Sequence, residues 1–546
     1  MNLEAQLADR LGPALAAAAG FPVDPVVRRS QHADFQSAAV LALAKRAGRP
    51  PGEIAAEVAA RADLAGLATV AISRPGFLNL TVDDAVLGSA IDGLDDRLGV
   101  PLVAGPERVV IDYSGPNAAK QMQVGHLRST IIGDALARIL EWRGHRVIRV
   151  NHVGDWGTQF GMLIEHMVDL GAERAEHSLG DLTDFYRAAR AKFDADEAFK
   201  TRARLRVVAL QSGDELCREL WHRLIEQTER NFLATYARLG VTLTAADFVG
   251  ESFYQDQVAS VVDDLAARGL LVESEGALCV FPPGFTGRDG EPLPLIVRKS
   301  DGGFGYAATD LAALRHRVRA LGADRLLYVV GAPQRTHFRM VFAVCRAAGW
   351  LPGHVTAEHV EFGSILGADG KMFKTRAGDN VRLDDLLDEA DERASSAAIG
   401  VGAIKYADLS GDRRSDYLFD WDRMLAATGN TGPYLQYAYA RIRSIFRRSA
   451  FDLGPVTLTE PAERRLALAL LGFDAAVTAA ADLREPHRLA SYLHDLAVAF
   501  SGFYETCPVL RSAGATRASR LTLADRTART LALGLSLLGI DLPEEM

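Results

Sequence analysis

Two short segments of the chain carry residue types that suit the binding of a nucleoside triphosphate. In the first, residues 117–129, Gly125 and His126 stand at the start of an apolar helical pattern. A helix N-terminus offers free backbone N–H groups and a partial positive charge to a phosphate. Glycine lets the backbone approach a ligand closely, and histidine can donate a hydrogen bond to a phosphoryl oxygen. A Gly-His pair taken alone is more often a turn with a surface histidine.

The second segment, residues 367–378, is a basic loop bracketed by glycines. Lys371, Lys374 and Arg376 lie within six residues of one another. Such a loop can close over a polyphosphate and neutralise the charge that develops when the α-phosphorus is attacked. As the only signal in a chain, this loop would indicate no more than a solvated surface.

The elements around the first segment predict that it lies at the edge of a parallel sheet. Residues 109–113 form a short apolar strand, residues 127–140 show helical periodicity, and residues 147–150 form a second strand. Strand, helix and strand over about 40 residues make a βαβ unit, whose two strands are parallel. Ligands of open α/β sheets bind beyond the carboxyl ends of the strands, which is where the Gly-His pair falls.

Patterning divides the chain into three expected domains. Residues 1–100 form a small α+β unit, and residues 107–400 form a doubly wound α/β domain with a charged helical insertion around 163–250. Residues 405–546 are almost wholly helical and rich in clustered arginines. Further predicted strands are residues 77–82, 326–331 and 360–363.

Composition excludes several classes of protein. The 546 residues are 48% hydrophobic and 24% charged, which is a globular balance. A net charge of −9 excludes a uniformly basic, histone-like binder but not local basic surfaces. The four cysteines lie far apart, so neither a zinc ribbon nor a disulfide scaffold is indicated and a reducing compartment fits. We find no apolar run approaching the roughly 20 residues of a membrane span, and we expect a cytoplasmic protein.

The two segments resemble the signatures of class I aminoacyl-tRNA synthetases, His-x-Gly-His and Lys-Met-Ser-Lys-Ser. The residues around them are similar to those of the arginyl-tRNA synthetase family in particular. The similar runs are residues 75–79, 112–117, 151–161, 405–410, 419–422 and 429–437. The resemblance covers nearly the whole chain. It implies a Rossmann-type catalytic domain with an insertion, a small α+β N-terminal domain that contacts tRNA, and an all-α C-terminal anticodon-binding domain.

The resemblance assigns catalytic and ATP-binding roles to residues of both signatures. The implied ATP-binding residues are Gln123, Gly125, His126, Lys371 and Lys374. Lys120, ahead of the first signature, is similar to a family lysine that assists the phosphates. The implied catalytic residues are therefore His126, Lys120, Lys371 and Lys374.

The resemblance also implies an arginine pocket. Its expected residues are Asp112, Asn117, Tyr306, Asp310 and Gln334. A planar guanidinium needs carboxylates, because a bidentate pair matches its fork of donors. Tyr306 and Asp310 are spaced i,i+4 and so share one face of a helix. We expect Asp310 to be the main partner of the guanidinium.

The implied activity is that of an arginine–tRNA ligase. Arginine would attack the α-phosphorus of ATP to give arginyl-adenylate and pyrophosphate, and the 2′-OH of the terminal adenosine of tRNA(Arg) would then accept the arginyl group. Positioning and charge stabilisation would supply most of the catalysis. Mg²⁺ is expected with ATP, although no cluster of acidic residues marks a dedicated metal cage. The family further implies a monomer that needs tRNA for activation, with no DNA or membrane partner.

The helical C-terminal zone carries residues that suit an RNA loop. Three tyrosines over residues 434–439 stand next to four arginines over residues 441–448, and rings with cations are what splayed bases and phosphates require. By the resemblance, Tyr434, Tyr437, Arg441 and the terminal Met546 contact the anticodon loop. Tyrosines at helical spacing also occur as core residues.

The chain departs from the family pattern at Gln123, where the first signature histidine usually stands. An amide can bond a phosphate oxygen but cannot carry positive charge, so slower activation is the hypothesis. Glu545 replaces a usual arginine beside Met546. Two other functions stay open: a tRNA-free nucleotidyltransferase, and a catalytically weak paralogue that binds tRNA or serves a specialised pathway.

Overall fold

The computed structural model describes residues 3–171, 182–287, 289–373, 381–447 and 452–543. Two residues with roles implied by the sequence, Lys374 and Met546, lie outside the described residues. The four cysteines are buried and unpaired. The described chain forms three regions, which follow one another in sequence and pack on one another.

The N-terminal region is a small α+β unit built on an antiparallel sheet. Its elements are α1 (Leu3–Ala19), β1 (Val27–Arg29), β2 (Phe35–Ser37), α2 (Ala39–Ala47), α3 (Pro51–Arg61), β3 (Ala68–Ser73), β4 (Phe77–Val82) and α4 (Asp84–Asp92). The strand order is β1-β2-β4-β3. β4 is the strand that the alternating pattern predicts, with Leu78, Leu80 and Val82 buried against the helices.

The central region is built on a five-stranded parallel sheet. Its strands are β5 (Arg108–Asp112), β6 (Arg146–Val153), β7 (Phe248–Gly250), β11 (Arg325–Tyr328) and β12 (Thr356–His359). They lie in the order β12-β11-β5-β6-β7, and every pairing is parallel. The chain therefore winds outward from β5 in one direction and from β11 in the other, which confirms the doubly wound prediction. The strand order reverses between β5 and β11, and ligands bind at such a switch point.

Helices cover both faces of this sheet. They are α5 (Val124–Trp142), α6 (Thr158–Leu170), α7 (Leu182–Ala195), α8 (Glu197–Ser212), α9 (Glu215–Leu239), α10 (Gln255–Ala267), α11 (Tyr306–Arg319), α12 (Arg335–Ala347) and α13 (Leu383–Arg393). Helices α6 to α9 form the insertion between β6 and β7. The sequence does not predict the three-stranded antiparallel sheet of β8 (Val272–Ser274), β9 (Ala277–Val280) and β10 (Leu295–Arg298).

The strand predicted at residues 360–363 is wrong in position. The observed strand β12 covers Thr356–His359, and the apolar residues follow its end. Because β12 is an edge strand whose residues stay partly exposed, its sequence is polar and lacks the apolar run of a central strand.

The C-terminal region is a helical bundle. Its elements are α14 (Ala397–Leu409), β14 (Tyr417–Leu418), α15 (Trp421–Met424), α16 (Gly432–Arg447), α17 (Pro461–Leu470), α18 (Phe473–Leu483), α19 (His487–Thr506) and α20 (Gly514–Leu537). The two-residue strand β14 pairs in parallel with β13 (Ile365–Leu366) of the central region. The domain boundary expected between residues 400 and 405 falls inside α14, so the two regions share a continuous helix.

One stretch corrects the expectation that no segment is apolar enough to cross a membrane. Among the described residues, Pro461–Leu483 passes that test by length and composition. The stretch is divided into α17 and α18, and Leu466, Leu470, Phe473 and Val477 are buried. Its hydrophobicity is explained by packing inside the bundle.

Candidate active site

A cleft of about 260 Å³ lies where the strand order reverses, at the carboxyl ends of β5 and β11. Asp112, Gly125, His126, His152 and Asp310 are among its lining residues. The structure therefore brings the Gly-His pair of the first signature into one cleft with two carboxylates of the expected arginine pocket. A larger cavity of about 740 Å³, between β7 and the insertion helices, is lined by none of these five residues.

Helix α5 reaches the cleft because it crosses closely over the end of β5. A Cβ on Gly133 would lie 2.3 Å from the Tyr113 side chain, so only glycine permits this approach. Ser114, after the strand, takes a left-handed φ of 72°. Its N–H donates to Ser129 Oγ at 2.9 Å, and Ser129 Oγ donates to the Val329 carbonyl at 2.6 Å. These bonds tie α5 to both strands at the switch point.

The insertion stabilises the same turn from the other side. Tyr236 of α9 is buried and its hydroxyl lies 2.7 Å from Ser114 Oγ. The Asn151 side chain donates to the same hydroxyl at 3.0 Å and accepts from the Gly115 N–H at 2.9 Å. Burial raises the pKa of Tyr236 to about 12, so it stays a neutral phenol. Tyr236 thus lets the insertion support the wall of the cleft, although Tyr236 itself does not line the cleft.

His126 is held in one tautomer. The Gln123 N–H donates to His126 Nδ1 at 3.0 Å, so the ring proton of the neutral imidazole sits on Nε2. Burial, together with the positive charge of Lys120, lowers the pKa of His126 and favours this neutral form. Among the described residues, no atom beyond the helix's own backbone and the chain neighbours lies within 4 Å of a Cβ built on Gly125, so these residues leave the space beside it open.

The basic loop begins as a tight hairpin. The Gly367 N–H donates to the Lys371 carbonyl at 2.8 Å, and Lys371 is exposed. Beyond the loop, the Val124 N–H donates to the Val381 carbonyl at 3.0 Å. The chain that follows the basic loop is therefore bonded to the N-terminus of α5, and Lys374 lies outside the described residues.

Asp112 already has a partner within the protein. Its Oδ2 lies 2.8 Å from Nη1 of Arg317, which is buried. The same guanidinium lies 3.3 Å from His152 Nδ1. The sequence gives no sign of Arg317 in this role, because one arginine on a helix is usually a surface charge. Asp112 lines the cleft, as expected, but one of its oxygens is bound to a protein guanidinium.

Asp310 faces the cleft with a different set of neighbours. Its Oδ2 lies 2.6 Å from His337 Nε2. Burial and the nearby carboxylates of Asp155 and Asp310 raise the pKa of Glu251 to about 8. Within the described part of the chain, no residue hydrogen-bonds to the Glu251 carboxylate. The carboxylates of Glu251 and Asp310 therefore lie near enough to repel each other, and among the described residues only Asp310 has a hydrogen-bond partner, His337.

Sequence reasoning misses Glu251 because the strand before it, β7, is only three residues long. A polar residue at the carboxyl end of a parallel strand is the signal that could have found it. His152, which lines the cleft and stacks on Tyr254 with ring centroids 5.6 Å apart, is missed for a similar reason. It lies inside the run 151–161, which points to the family without singling out one residue.

The other expected site residues flank the cleft. Asn117, Tyr306 and Gln334 lie two to four residues from the lining residues Gly115, Asp310 and Gly331. All three are exposed, and Tyr306 keeps 77% of its surface accessible. Lys120 Nζ lies 4.2 Å from the centre of the Tyr186 ring, on the insertion.

The residues expected to contact RNA lie on α16. Arg441 Nη2 donates to the Tyr437 hydroxyl at 2.8 Å, and its guanidinium lies 5.5 Å from the Tyr504 ring centre. Tyr437 and Tyr504 are exposed, whereas Tyr434 is half-buried and its hydroxyl lies 3.2 Å from Ser501 Oγ. Tyr504, from α19, completes this surface and is not predicted from sequence. Met546 lies outside the described residues.

The described residues do not form a metal-binding site built from protein side chains alone. No group of three or more His, Cys, Asp or Glu side chains in the described ranges is arranged to hold an ion.

Three features together define a class I aminoacyl-tRNA synthetase. They are a parallel sheet with a helix N-terminus at its switch point, a basic hairpin after which Val381 bonds to that N-terminus, and a helical C-terminal bundle. The family models agree. Residues 95–399 match the class I (R) tRNA synthetase catalytic domain, residues 435–546 match the DALR anticodon binding domain, and residues 1–82 match the arginyl-tRNA synthetase N-terminal domain.

The chain belongs to the arginyl-tRNA synthetase family, whose members are ATP-dependent ligases. It is 53% identical to the arginine–tRNA ligase of Thermobifida fusca, with 99% of each chain covered. It is 48% identical to that of Escherichia coli, with 100% of each covered. Among solved structures, the Plasmodium falciparum arginyl-tRNA synthetase matches with a TM-score of 0.86 at 29% identity, covering 100% of this chain and 99% of that one. That of Thermus thermophilus matches with a TM-score of 0.81 at 25% identity, covering 100% of both.

Proposed function

We propose that the chain activates arginine with ATP in the cleft between β5 and β11 and transfers the arginyl group to tRNA(Arg). The observation that carries this proposal is the presence of His126 and Asp310 in one cleft. A phosphate-binding corner and a carboxylate that suits a guanidinium are then close enough to serve one reaction. The family membership supports the same reading.

The guanidinium is received by Asp310 and Glu251. Among the described residues no arginine or lysine pairs with either acid, and Asp310 is bonded to His337, whereas Asp112 is bound to Arg317. A cation placed between Asp310 and Glu251 would offset the burial and the carboxylate repulsion that raise the pKa of Glu251. Asp112 then acts by fixing Arg317 and the cleft wall. The rest of the amino acid is contacted by the three residues that flank this pocket, Asn117, Tyr306 and Gln334.

The phosphates of ATP lie over the N-terminus of α5. His126 donates its Nε2–H to a phosphoryl oxygen, the open space above Gly125 admits the backbone approach, and the helix start adds its partial charge. Gln123 bonds a phosphate oxygen through its amide. Lys120, Lys371 and Lys374 supply positive charge around the leaving pyrophosphate, and Mg²⁺ arrives as the counter-ion of ATP.

The chemistry follows in two steps. The arginine carboxylate attacks the α-phosphorus in line, which forms the acyl phosphate bond and breaks the bond to pyrophosphate. The 2′-OH of the terminal adenosine then attacks the acyl carbon, AMP leaves, and the hydroxyl proton passes to a phosphate oxygen. The nucleophiles need no strong protein base, so the side chains act by orientation and by neutralising charge.

The surface of α16 and α19 takes the anticodon loop. Tyr437, Tyr504 and Arg441 present two exposed rings and a cation, with Tyr434 below them, and Met546 follows in the same matched domain. Bases stack on rings, and phosphates pair with the cation. We place the enzyme in the cytoplasm as a monomer that binds neither DNA nor membranes.

The deciding experiment is arginine-dependent ATP–pyrophosphate exchange, measured with and without tRNA and with lysine and canavanine as competitors. We expect exchange that requires arginine and is stimulated by tRNA. Full exchange without tRNA would favour a tRNA-free nucleotidyltransferase. Binding of tRNA with no charging by radiolabelled arginine would instead identify a weak paralogue.

A further inference from the structure

Arg128 connects the catalytic helix to the C-terminal region. It follows His126 by two residues on α5 and is only 2% exposed. Its Nε lies 3.1 Å from Asp408 Oδ2 of α14, and its Nη1 donates to the Ser415 carbonyl at 2.9 Å. One buried guanidinium therefore bonds two separate points of the segment 408–419, which leads from the last turn of α14 through β14.

The same segment is bound to the strand that leads into the basic loop. The Tyr417 N–H donates to the Ser364 carbonyl at 3.1 Å, and the Phe419 N–H donates to the Leu366 carbonyl at 2.8 Å. These bonds form the parallel pair of β13 and β14. β13 runs directly into the hairpin that presents Lys371, and its partner β14 begins two residues after Ser415, whose carbonyl Arg128 binds.

The energetics of this ion pair favour an orienting role over a stabilising one. Both side chains are buried, and Asp408 has no exposed side-chain surface. Burying two charges costs desolvation that their attraction only about repays, so apolar residues of similar volume often serve stability equally well. Apolar residues cannot reproduce the fixed fork with which arginine bonds two acceptors at once.

We infer that Arg128 is a positioning residue for adenylate formation: through Asp408 and Ser415 it fixes the β13–β14 pair, and with it the hairpin that presents Lys371, relative to His126. The inference rests on the proposed function, because the step it would affect is the attack on the α-phosphorus. His126 and the loop lysines must meet the same triphosphate. A misplacement of about 1 Å in such an arrangement costs on the order of 100-fold in rate.

The test compares three variants in the full chain. Arg128→Lys keeps the charge but loses the fork, and Arg128→Met with Asp408→Leu replaces the pair by apolar side chains. For both we expect kcat of pyrophosphate exchange to fall about 10- to 100-fold while KM for arginine stays unchanged. The control is Arg143→Met, because Arg143 also joins α5 to the bundle, through Thr478 Oγ1 at 2.6 Å, but lies at the far end of the helix. Its kcat should equal that of the unaltered chain.

Thermal unfolding separates positioning from stability. If the double variant has the melting temperature of the unaltered chain but a lower kcat, the inference is supported. If both its melting temperature and its kcat equal those of the unaltered chain, the inference is overturned. If the double variant does not fold, the melting temperature and kcat of Arg128→Lys are compared with those of the unaltered chain in the same way. An Arg143→Met defect as large as that of Arg128→Lys would also overturn it. Failure of the proposed function would look different, because the unaltered chain would then show no arginine-dependent exchange.

Discussion

The cleft and the α16–α19 surface use charged and aromatic side chains in contrasting ways. In the cleft, Asp112 is fixed by the buried Arg317 and Asp310 by His337, so the positions of the carboxylates are set before a substrate arrives. On the bundle, Arg441 rests on Tyr437, which is 42% exposed, and both can change partners without leaving a buried charge. A rigid cleft suits a small charged substrate, and an adaptable surface suits bases that swing out of a loop.

Removing Asp310, the acid that we propose as the guanidinium partner, should have the largest effect. For Asp310→Asn we expect kcat/KM for arginine to fall about 100- to 1000-fold, because an amide leaves a desolvated cation without its charge partner. KM for ATP should change little. Asp263→Asn, which removes an exposed acid of α10, is the matched control. Steady-state exchange with the arginine concentration varied measures both, and an unchanged kcat/KM in Asp310→Asn would remove Asp310 from the pocket.

The second acid predicts a pH dependence. Because the pKa of Glu251 is about 8 without arginine, the acid is mostly protonated near neutral pH and must ionise to pair with a guanidinium. Arginine affinity should therefore rise with pH, approaching about tenfold per unit below pH 8, and level off above it.

Equilibrium dialysis with labelled arginine from pH 6 to 9 tests this slope. Glu251→Gln should bind arginine weakly and almost independently of pH, while Glu226→Gln, an exposed acid on α9, should keep the slope. A Glu251→Gln variant with the original slope would show that another group is responsible.

The contrast between the two regions also explains what sequence can predict. The strands β5 and β6 and the helix α5 follow from local periodicity and turn chemistry, and the roles of the signature residues follow from the resemblance to the family. Arg317 and Glu251 do not, because their roles arise from contacts between segments far apart in the chain. The edge strand β12 is misplaced for a related reason, since a partly exposed strand need not be apolar. On α16 the tyrosines are visible in sequence, but Tyr504 reaches them from another helix.

The bundle surface should respond more mildly than the cleft. For Tyr437→Ala we expect KM for tRNA to rise about tenfold, since a base loses its stacking partner. Tyr437→Phe keeps the ring and loses only the bond from Arg441, so its effect should be smaller. Charging assays at several tRNA concentrations measure both. A fall in kcat at saturating tRNA, with KM unchanged, would contradict a role confined to binding.

Arg441→Gln tests the same surface through salt. Loss of one cation that meets a phosphate should weaken tRNA binding and reduce the slope of log affinity against log salt by about one. Filter binding between low and moderate salt gives this slope. The control is Arg529→Gln, which removes a cation of α20 that pairs with Asp96. An Arg441→Gln slope equal to that of the unaltered chain would exclude a phosphate contact.

The smallest effect is expected where this chain departs from the family pattern. Gln123 precedes α5, and its backbone N–H orients His126, a contact that a substitution of the side chain preserves. A protonated histidine at this position would add a charge-assisted bond to a phosphate, which exceeds a neutral bond by about 1 kcal/mol, or roughly fivefold in rate. Gln123→His should therefore raise kcat of exchange about fivefold near pH 6 and lose this advantage as the added imidazole deprotonates above pH 7.

Gln123→Asn, which shortens the amide, should lower kcat at every pH. Equal rates for Gln123→His and the unaltered chain across this range would mean that the side chain at this position does not touch the phosphates.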